Sequence, residues 1–285
     1  MIAPHRRALQ IDIATRPDLD LTIEWAALEG WNPGLADGDC FHAADPAGFL
    51  IGRLGDEPIG CISVVKYEPA FAFLGFYIVK PEMRGQGHGW RIWQAGMARL
   101  DGRVVGLDGV IAQQENYRKS GFVLAHRNIR FGGAPNCEGP RDARIVAIDA
   151  GLVEAVIAYD RPFFPANRDA FMRCWLRPER REGRALIDDG TLRGYGVIRP
   201  CRRGFKIGPL FADSDDRADL LFRALAASAK GEDVFLDCPE PNRPASDLAA
   251  RYGLAPVFET ARMYRGAAPA LPLPRIFGIT TFELG

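Results

Sequence analysis

Residue types able to do chemistry gather first in the stretch Tyr77-Ile-Val-Lys-Pro-Glu-Met-Arg-Gly-Gln-Gly-His-Gly-Trp90. The apolar run Phe73 to Val79 predicts a buried strand, which Pro81 ends. Arg84-Gly85-Gln86-Gly87-His88-Gly89 follows, and Trp90, Ile92, Trp93, Met97 and Leu100 then set a helical pattern. Strand, glycine-rich turn and helix, in that order, aim backbone N–H groups at an anion. The glycines let the main chain approach a phosphate closely, and the helix N-terminus adds partial positive charge. Arg84 can add a charge-assisted hydrogen bond, so a pyrophosphate is expected here. The stretch is not a P-loop, because the G-x-x-x-x-G-K-[ST] spacing and its Lys are absent. Nor is it a dinucleotide fingerprint: G-x-G-x-G lacks the G-x-G-x-x-G spacing, and nothing upstream opens a βαβ unit. Taken alone, the loop also fits an ordinary turn before a helix.

A second constellation separates these readings. Asn116-Tyr117-Arg118-Lys119-Ser120-Gly121-Phe122 ends a short helix and leads into a strand from Phe122 to Phe131. The pair resembles the two signatures of the GNAT N-acyltransferases, R/Q-x-x-G-x-G/A on the acetyl-CoA pyrophosphate loop and then Y-x-K-x-G-F. In this chain they are Arg84, Gly87 and Gly89, followed by Tyr117, Lys119, Gly121 and Phe122. The likeness covers roughly the first 135 residues. It implies acetyl-CoA as acetyl donor, held by Ile78, Val79, Arg84, Gly85, Gln86, Gly87, His88, Gly89, Asn116 and Lys119, with no metal. It also implies a sheet that splits after its fourth strand, where Ile78 and Val79 pair with pantetheine and one N–H stabilises the oxyanion. A neutral amine then attacks the thioester directly, and Tyr117 is placed to protonate the departing sulfur. An alkylammonium carries its proton at pH 7, so a base is needed. Asp108, Glu29 and Glu115 are the candidates, with Asp108 favoured and Glu29 next. Trp31, Asn32, Asp37 and Asp39 are candidates for the acceptor side, although a loop N-cap or plain packing is the commoner explanation of such residues.

Composition bounds the rest. A chain of 285 residues with 47% hydrophobic content has a real core and room for two medium domains. Lys+Arg 36 balances Asp+Glu 36, so no basic excess favours nucleic acid or an anionic membrane. No apolar run is long enough to span a bilayer, and Met1 to Arg7 is not followed by a signal-peptide core. Cys40, Cys61, Cys137, Cys174, Cys201 and Cys238 show no C-x-x-C pair, so reduced structural thiols in a cytoplasmic protein are expected. His5, His42, His88 and His126 are too dispersed for a histidine zinc site.

Around these residues, strands are predicted over 8–13, 49–54, 58–67, 71–79, 104–107 and 122–131, with helices over 19–28, 88–100 and 112–119. Gly132 to Arg141 is a polar, Gly/Pro-rich stretch, and the pattern then begins again. Strands over 145–148, 184–187, 192–200, 205–211, 234–237 and 257–264 alternate with helices over 153–159, 167–176, 213–229 and 245–252. The expected class is α/β (α+β): two tandem GNAT-like domains, each a mixed, largely antiparallel sheet flanked by helices. Residues 1–135 form the catalytic domain, 136–143 the linker, and 144–285 a degenerate copy. That copy carries Phe211-Ala-Asp-Ser-Asp-Asp-Arg217 in place of the glycine loop and Ala249 in place of the tyrosine, so one active site is expected.

Because 145–148 opens the second copy, the first lacks its last strand. The apolar, β-prone tail Pro274 to Gly285 is expected to cross back toward the first domain's splayed strands, or else to close the second copy. The leading function is acetyl-CoA-dependent N-acetyl transfer to a primary amine of a small molecule, amino acid or peptide. The second domain then walls the acceptor pocket or forms a subunit interface, as in a homodimer. The alternatives are a non-catalytic acyl-CoA-binding or partner-binding module, and an acyltransferase with another acyl-CoA or a hydroxyl acceptor.

Overall fold

The computed structural model describes residues 8–285. The first copy runs β1 (Leu9–Ile13), α1 (Arg16–Leu28), α2 (Asp37–Ala44), β2 (Phe49–Leu54), β3 (Glu57–Tyr67), β4 (Phe71–Val79), α3 (His88–Met97), β5 (Val104–Val110), α4 (Gln114–Lys119) and β6 (Val123–Gly133). The second runs β7 (Ile145–Ala147), α5 (Val153–Asp160), α6 (Asp169–Trp175), β8 (Glu182–Asp188), β9 (Thr191–Pro200), β10 (Phe205–Ala212), α7 (Asp215–Ala226), β11 (Val234–Pro239), α8 (Arg243–Arg251), β12 (Ala255–Arg265) and β13 (Ile276–Gly278). Local chemistry sets the element ends. Thr15 and Asp18 form a reciprocal capping box at the start of α1. α2 is a helix that the sequence pattern does not announce; its N-cap Ala36 makes no side-chain capping bond.

All strands join one sheet in the order β1-β2-β3-β4-β5-β12-β6-β11-β10-β9-β8-β7, with β13 beside β10. The final long strand of the second copy lies between β5 and β6 of the first, antiparallel to both (Thr260↔Val110 and Thr260↔Asn128). β6 in turn pairs with β11 of the second copy (Leu236↔Phe131). The two copies therefore exchange their last strands. Ala261 and Met263 of β12 bury among Trp93, Tyr117 and Phe122 of the first copy, while Phe131 of β6 buries among Leu221, Phe222 and Leu236 of the second. Residues 136–143 carry the chain from one copy to the other without dividing the sheet.

The tail serves both copies. The strand missing from the first copy is β12. β13 pairs with β10 (Leu210↔Gly278), and Ile279 N–H donates to Asp237 O at 2.9 Å. The tail thus fills the space between β10 and β11 as a strand of the second copy, then runs on to the first copy at Gly75. The expectation of six reduced thiols is corrected. Cys40 of α2 and Cys174 of α6 form a disulfide with Cα atoms 5.2 Å apart. They lie 134 residues apart in sequence, so only the packing of α2 on α6 brings them together. Among the described residues no helix is long and apolar enough to cross a membrane.

Candidate active site

β4 and β5 run parallel and paired only from Phe71↔Val104 to Leu74↔Leu107. Beyond Leu74 they part, because β4 bulges there: Ser63 faces Gly75, but Cys61 faces Ile78. Phe76 inside the bulge takes φ 45°, a strained conformation for an aromatic residue. Its ring is fixed against Phe41 and Phe49, so packing holds the bulge open. The result is a cleft of about 430 Å³ beside the unpaired edge of Gly75 to Val79.

The glycine loop closes one end of this cleft. Gly85 and Gly87 have φ of +73° and +81°, and a Cβ on either would touch nothing within 4 Å. They are glycine because of their backbone conformation, and their open surroundings leave room for a large anion against the main chain. Gly89 serves close packing instead, since a Cβ there would come within 2.8 Å of the Tyr77 hydroxyl. His88 and Gly89 open α3, whose first-turn N–H groups face the loop. Arg84 donates from Nε to Val79 O at 2.8 Å and pairs with Glu29 across the cleft mouth. Gln86 turns back to Glu82 O at 3.1 Å.

Tyr117 lies inside the cleft lining and is buried. Its ring stacks on Trp93 at 5.7 Å and covers Gly109, where any Cβ would collide with it. Burial pushes its phenol well above the usual tyrosine range, with Tyr77 adding to the shift, so the hydroxyl keeps its proton at neutral pH. Its two companions in the motif do not reach the cleft. Asn116 donates to Gln113 Oε1 at 2.7 Å, and Lys119 is exposed at the end of α4.

Each candidate base has a charged partner. Asp108 borders the cleft, but Arg262 grips both its oxygens (2.8 and 2.6 Å) and Asn128 donates to Oδ1 at 2.8 Å. Three charge-assisted or neutral hydrogen bonds make this side chain a strut joining β5, β12 and β6. Glu29 is held at the mouth by Arg84, and Glu115 pairs with Arg118 on the exposed face of α4. Of the four residues expected on the acceptor side, Trp31 alone lines the cleft. Asn32 binds Arg203, Asp37 is buried between Arg199 and Arg181, and Asp39 pairs with Arg16.

Sequence reasoning also missed residues from the other copy. Phe258 and Thr260 of β12, with Phe282 and Glu283 of the tail, also line the cleft. The strand exchange puts them there. The one signal was Glu283 itself, an isolated acid in the apolar run Phe277-Gly-Ile-Thr-Thr-Phe-Glu-Leu-Gly285. The corresponding cleft of the second copy, between β10 and β11, is taken up by its own tail: a Cβ on Gly208 would strike Thr280 O and Ile279 O. A single open cleft of this architecture is left in the described residues.

Comparison with known proteins agrees with this architecture. The model of the acetyltransferase (GNAT) family matches residues 12–122, and that of an acetyltransferase (GNAT) domain matches residues 156–278. The holothin acyltransferase of Pseudoalteromonas sp. (strain SANK 73390) is 34% identical over 273 residues, which is 95% of this chain and 93% of that protein. A putative acetyltransferase from Pyrococcus horikoshii superposes with a TM-score of 0.81 at 22% identity, covering 100% of this chain and 99% of that one. A tandem GNAT protein from the clavulanic acid biosynthesis pathway gives a TM-score of 0.62 at 14% identity, over 92% and 100% of the two chains. At these identities the two structures speak to the fold alone. A split sheet with a glycine loop beside its open edge defines an acyltransferase that draws on an acyl-CoA. The chain belongs to the GNAT acyltransferase family, as a tandem of two GNAT units.

Proposed function

We propose that this protein transfers an acetyl group from acetyl-CoA to a primary amine of a small molecule. One observation carries the reading: an unpaired β4 edge and a left-handed glycine loop open on a cleft that is also walled by Phe258, Thr260, Phe282 and Glu283. A wall made by a second domain suits a small acceptor better than a lysine on a folded protein, and no nucleic acid or membrane enters the scheme. Holothin, the substrate in the relative's name, is the first acceptor to test.

The residues fit a CoA thioester. Gly85, Gly87 and the first turn of α3 offer backbone N–H groups to the pyrophosphate. The Gly75–Val79 edge accepts the pantetheine arm by strand addition, with an N–H at Ile78 or Val79 for the oxyanion. The amine attacks the thioester carbon, the C–S bond breaks, and Tyr117 hands its proton to the leaving sulfur. A free thiol has a pKa of about 8.5, so a donor lowers the cost of its departure.

Calorimetric titration with acetyl-CoA, followed by thiol release with holothin and a panel of primary amines, tests the reading. One donor site per chain and turnover are expected; absence of donor binding would sink it. Tyr117→Phe keeps the ring against Trp93 and Gly109. It is expected to lower kcat about 100-fold at unchanged acetyl-CoA affinity. Wild-type kcat in this variant would remove the proton-donor role.

A further inference from the structure

Among the described residues, Glu283 is the one acid of the cleft lining whose carboxylate has neither a hydrogen-bond nor an ion-pair partner. It is 2% exposed, and neither of its oxygens has a hydrogen-bond partner. Asp108 and Glu29, the other acids there, are both paired to arginines. The main chain of Glu283 lies directly on Gly75, where a Cβ would come within 2.3 Å of Glu283 O. Gly75 is the residue at which β4 leaves β5. The Glu283 main chain is therefore held at the apex of the split, and the residue lines the cleft.

The charged groups facing it come from four elements: Lys206 of β10, Asp37 of α2, Arg130 of β6 and Arg199 of β9. Each makes its hydrogen bonds to other groups, and of their nitrogens Arg199 Nη2 is left without a partner. Arg130 is bidentate with Asp237 (2.6 and 2.8 Å) and donates to Trp31 O. Arg199 binds Asp37, and Lys206 donates to Asn32 O at 2.9 Å. Burial pushes the Glu283 carboxyl up and Asp37 adds to this, while Lys206, Arg130 and Arg199 pull the other way without reversing it. A buried acid without partners costs stability unless something else supplies its hydrogen bonds. Thr260 Oγ1, also buried in the lining, is unpartnered too. Two cleft-lining side chains with orphaned oxygens suit a ligand rich in N–H donors.

We propose that Glu283 is the catalytic base: it receives the acceptor's ammonium group and takes its proton, with Thr260 Oγ1 as a second acceptor for the amine. The tail that fills the second copy's cleft thereby completes the active site of the first. The assignment rests on the acyltransfer reading. One ammonium proton passes to the Glu283 carboxylate, and the nitrogen lone pair forms the C–N bond. As the C–S bond breaks, the sulfur takes the Tyr117 proton, and the surplus proton on nitrogen restores the tyrosine through water. Glu283 then releases its proton to solvent.

The test compares wild type, Glu283→Gln and Glu283→Asp with acetyl-CoA and either holothin or benzylamine, with melting recorded for each. Glu283→Gln is expected to lose about 100-fold in kcat/KM for the amine while binding acetyl-CoA within about twofold of wild type. Its kcat/KM should climb about tenfold per pH unit up to the amine's own pKa, because only free amine then reacts; the wild-type profile should level off above the ionisation of Glu283. Glu283→Asp should recover part of the rate together with the wild-type profile. Wild-type turnover with an unchanged rate or pH profile in Glu283→Gln would overturn the assignment. A wild-type enzyme that binds no acetyl-CoA would instead overturn the reading beneath it, and the assignment with it.

Discussion

Removal of residues 272–285 is expected to abolish cooperative folding of the second copy and, with it, activity. Ile276, Phe277, Ile279, Phe282 and Leu284 are all buried. At about 1.5–3 kcal/mol for each buried apolar side chain, the five contribute about 8–15 kcal/mol, an upper bound that equals the whole stability of an ordinary domain. Polar ties are lost too. Asn242 donates to Ile276 O at 2.8 Å, Arg168 to Thr280 Oγ1 at 3.0 Å, and Ile279 N–H to Asp237 O. Without the tail, β10 and β11 would face water where they part. A milder change isolates the packing effect. Phe277→Ala should cost about 3–5 kcal/mol and lower Tm by about 10 °C, yet leave acetyl-CoA binding intact, because Phe277 packs in the second copy's core. A truncated chain melting within about 2 °C of the full one would refute this role of the tail.

The second large effect concerns Asp108 and Arg262. The pair joins β5 to β12, and both side chains are buried. Arg262→Leu leaves the Asp108 carboxylate uncompensated in the core and should destabilise by about 3–5 kcal/mol. Replacing both with Leu should restore most of that loss, because two apolar groups of matching shape cancel the desolvation problem. The pattern separates a strut from a base. If Asp108 took the acceptor's proton, the double variant would be stable but inactive for want of a base. As a strut, it should keep the pH dependence of wild type once folded. Thermal melts and pH profiles of the two single variants and the double variant decide the matter, and an Arg262→Leu protein as stable as wild type would contradict the strut.

These two cases mark the boundary between what sequence and tertiary structure each decide. The glycine loop, Tyr117 and the order of elements were legible because each depends on neighbours in the chain. Gly85 and Gly87 are required by their own φ angles, β4 by its apolar run, and α3 by the spacing of Ile92, Trp93 and Met97. The repeat was legible for the same reason, since each copy spells out its elements in order. The unclaimed carboxylate of the cleft was not. Asp108 and Glu283 look alike in sequence, a single acid in an apolar strand or tail. What separates them is Arg262, 154 residues from Asp108, and the absence of any such partner for Glu283. Nor did the sequence reveal that β12 would enter the first copy, that Cys40 would meet Cys174, or that Phe258 and Phe282 would wall the cleft. Hydrogen-bond propensity and burial pattern are the same for a strand whichever sheet it joins, so the partner is chosen by packing over the whole molecule. The sequence by itself determined the family, the glycine loop and the tyrosine that follows it, because local backbone geometry and residue type suffice for those. Tertiary structure alone decided the second copy's wall of the cleft, because that wall is built from segments whose only relation is that they fold against one another.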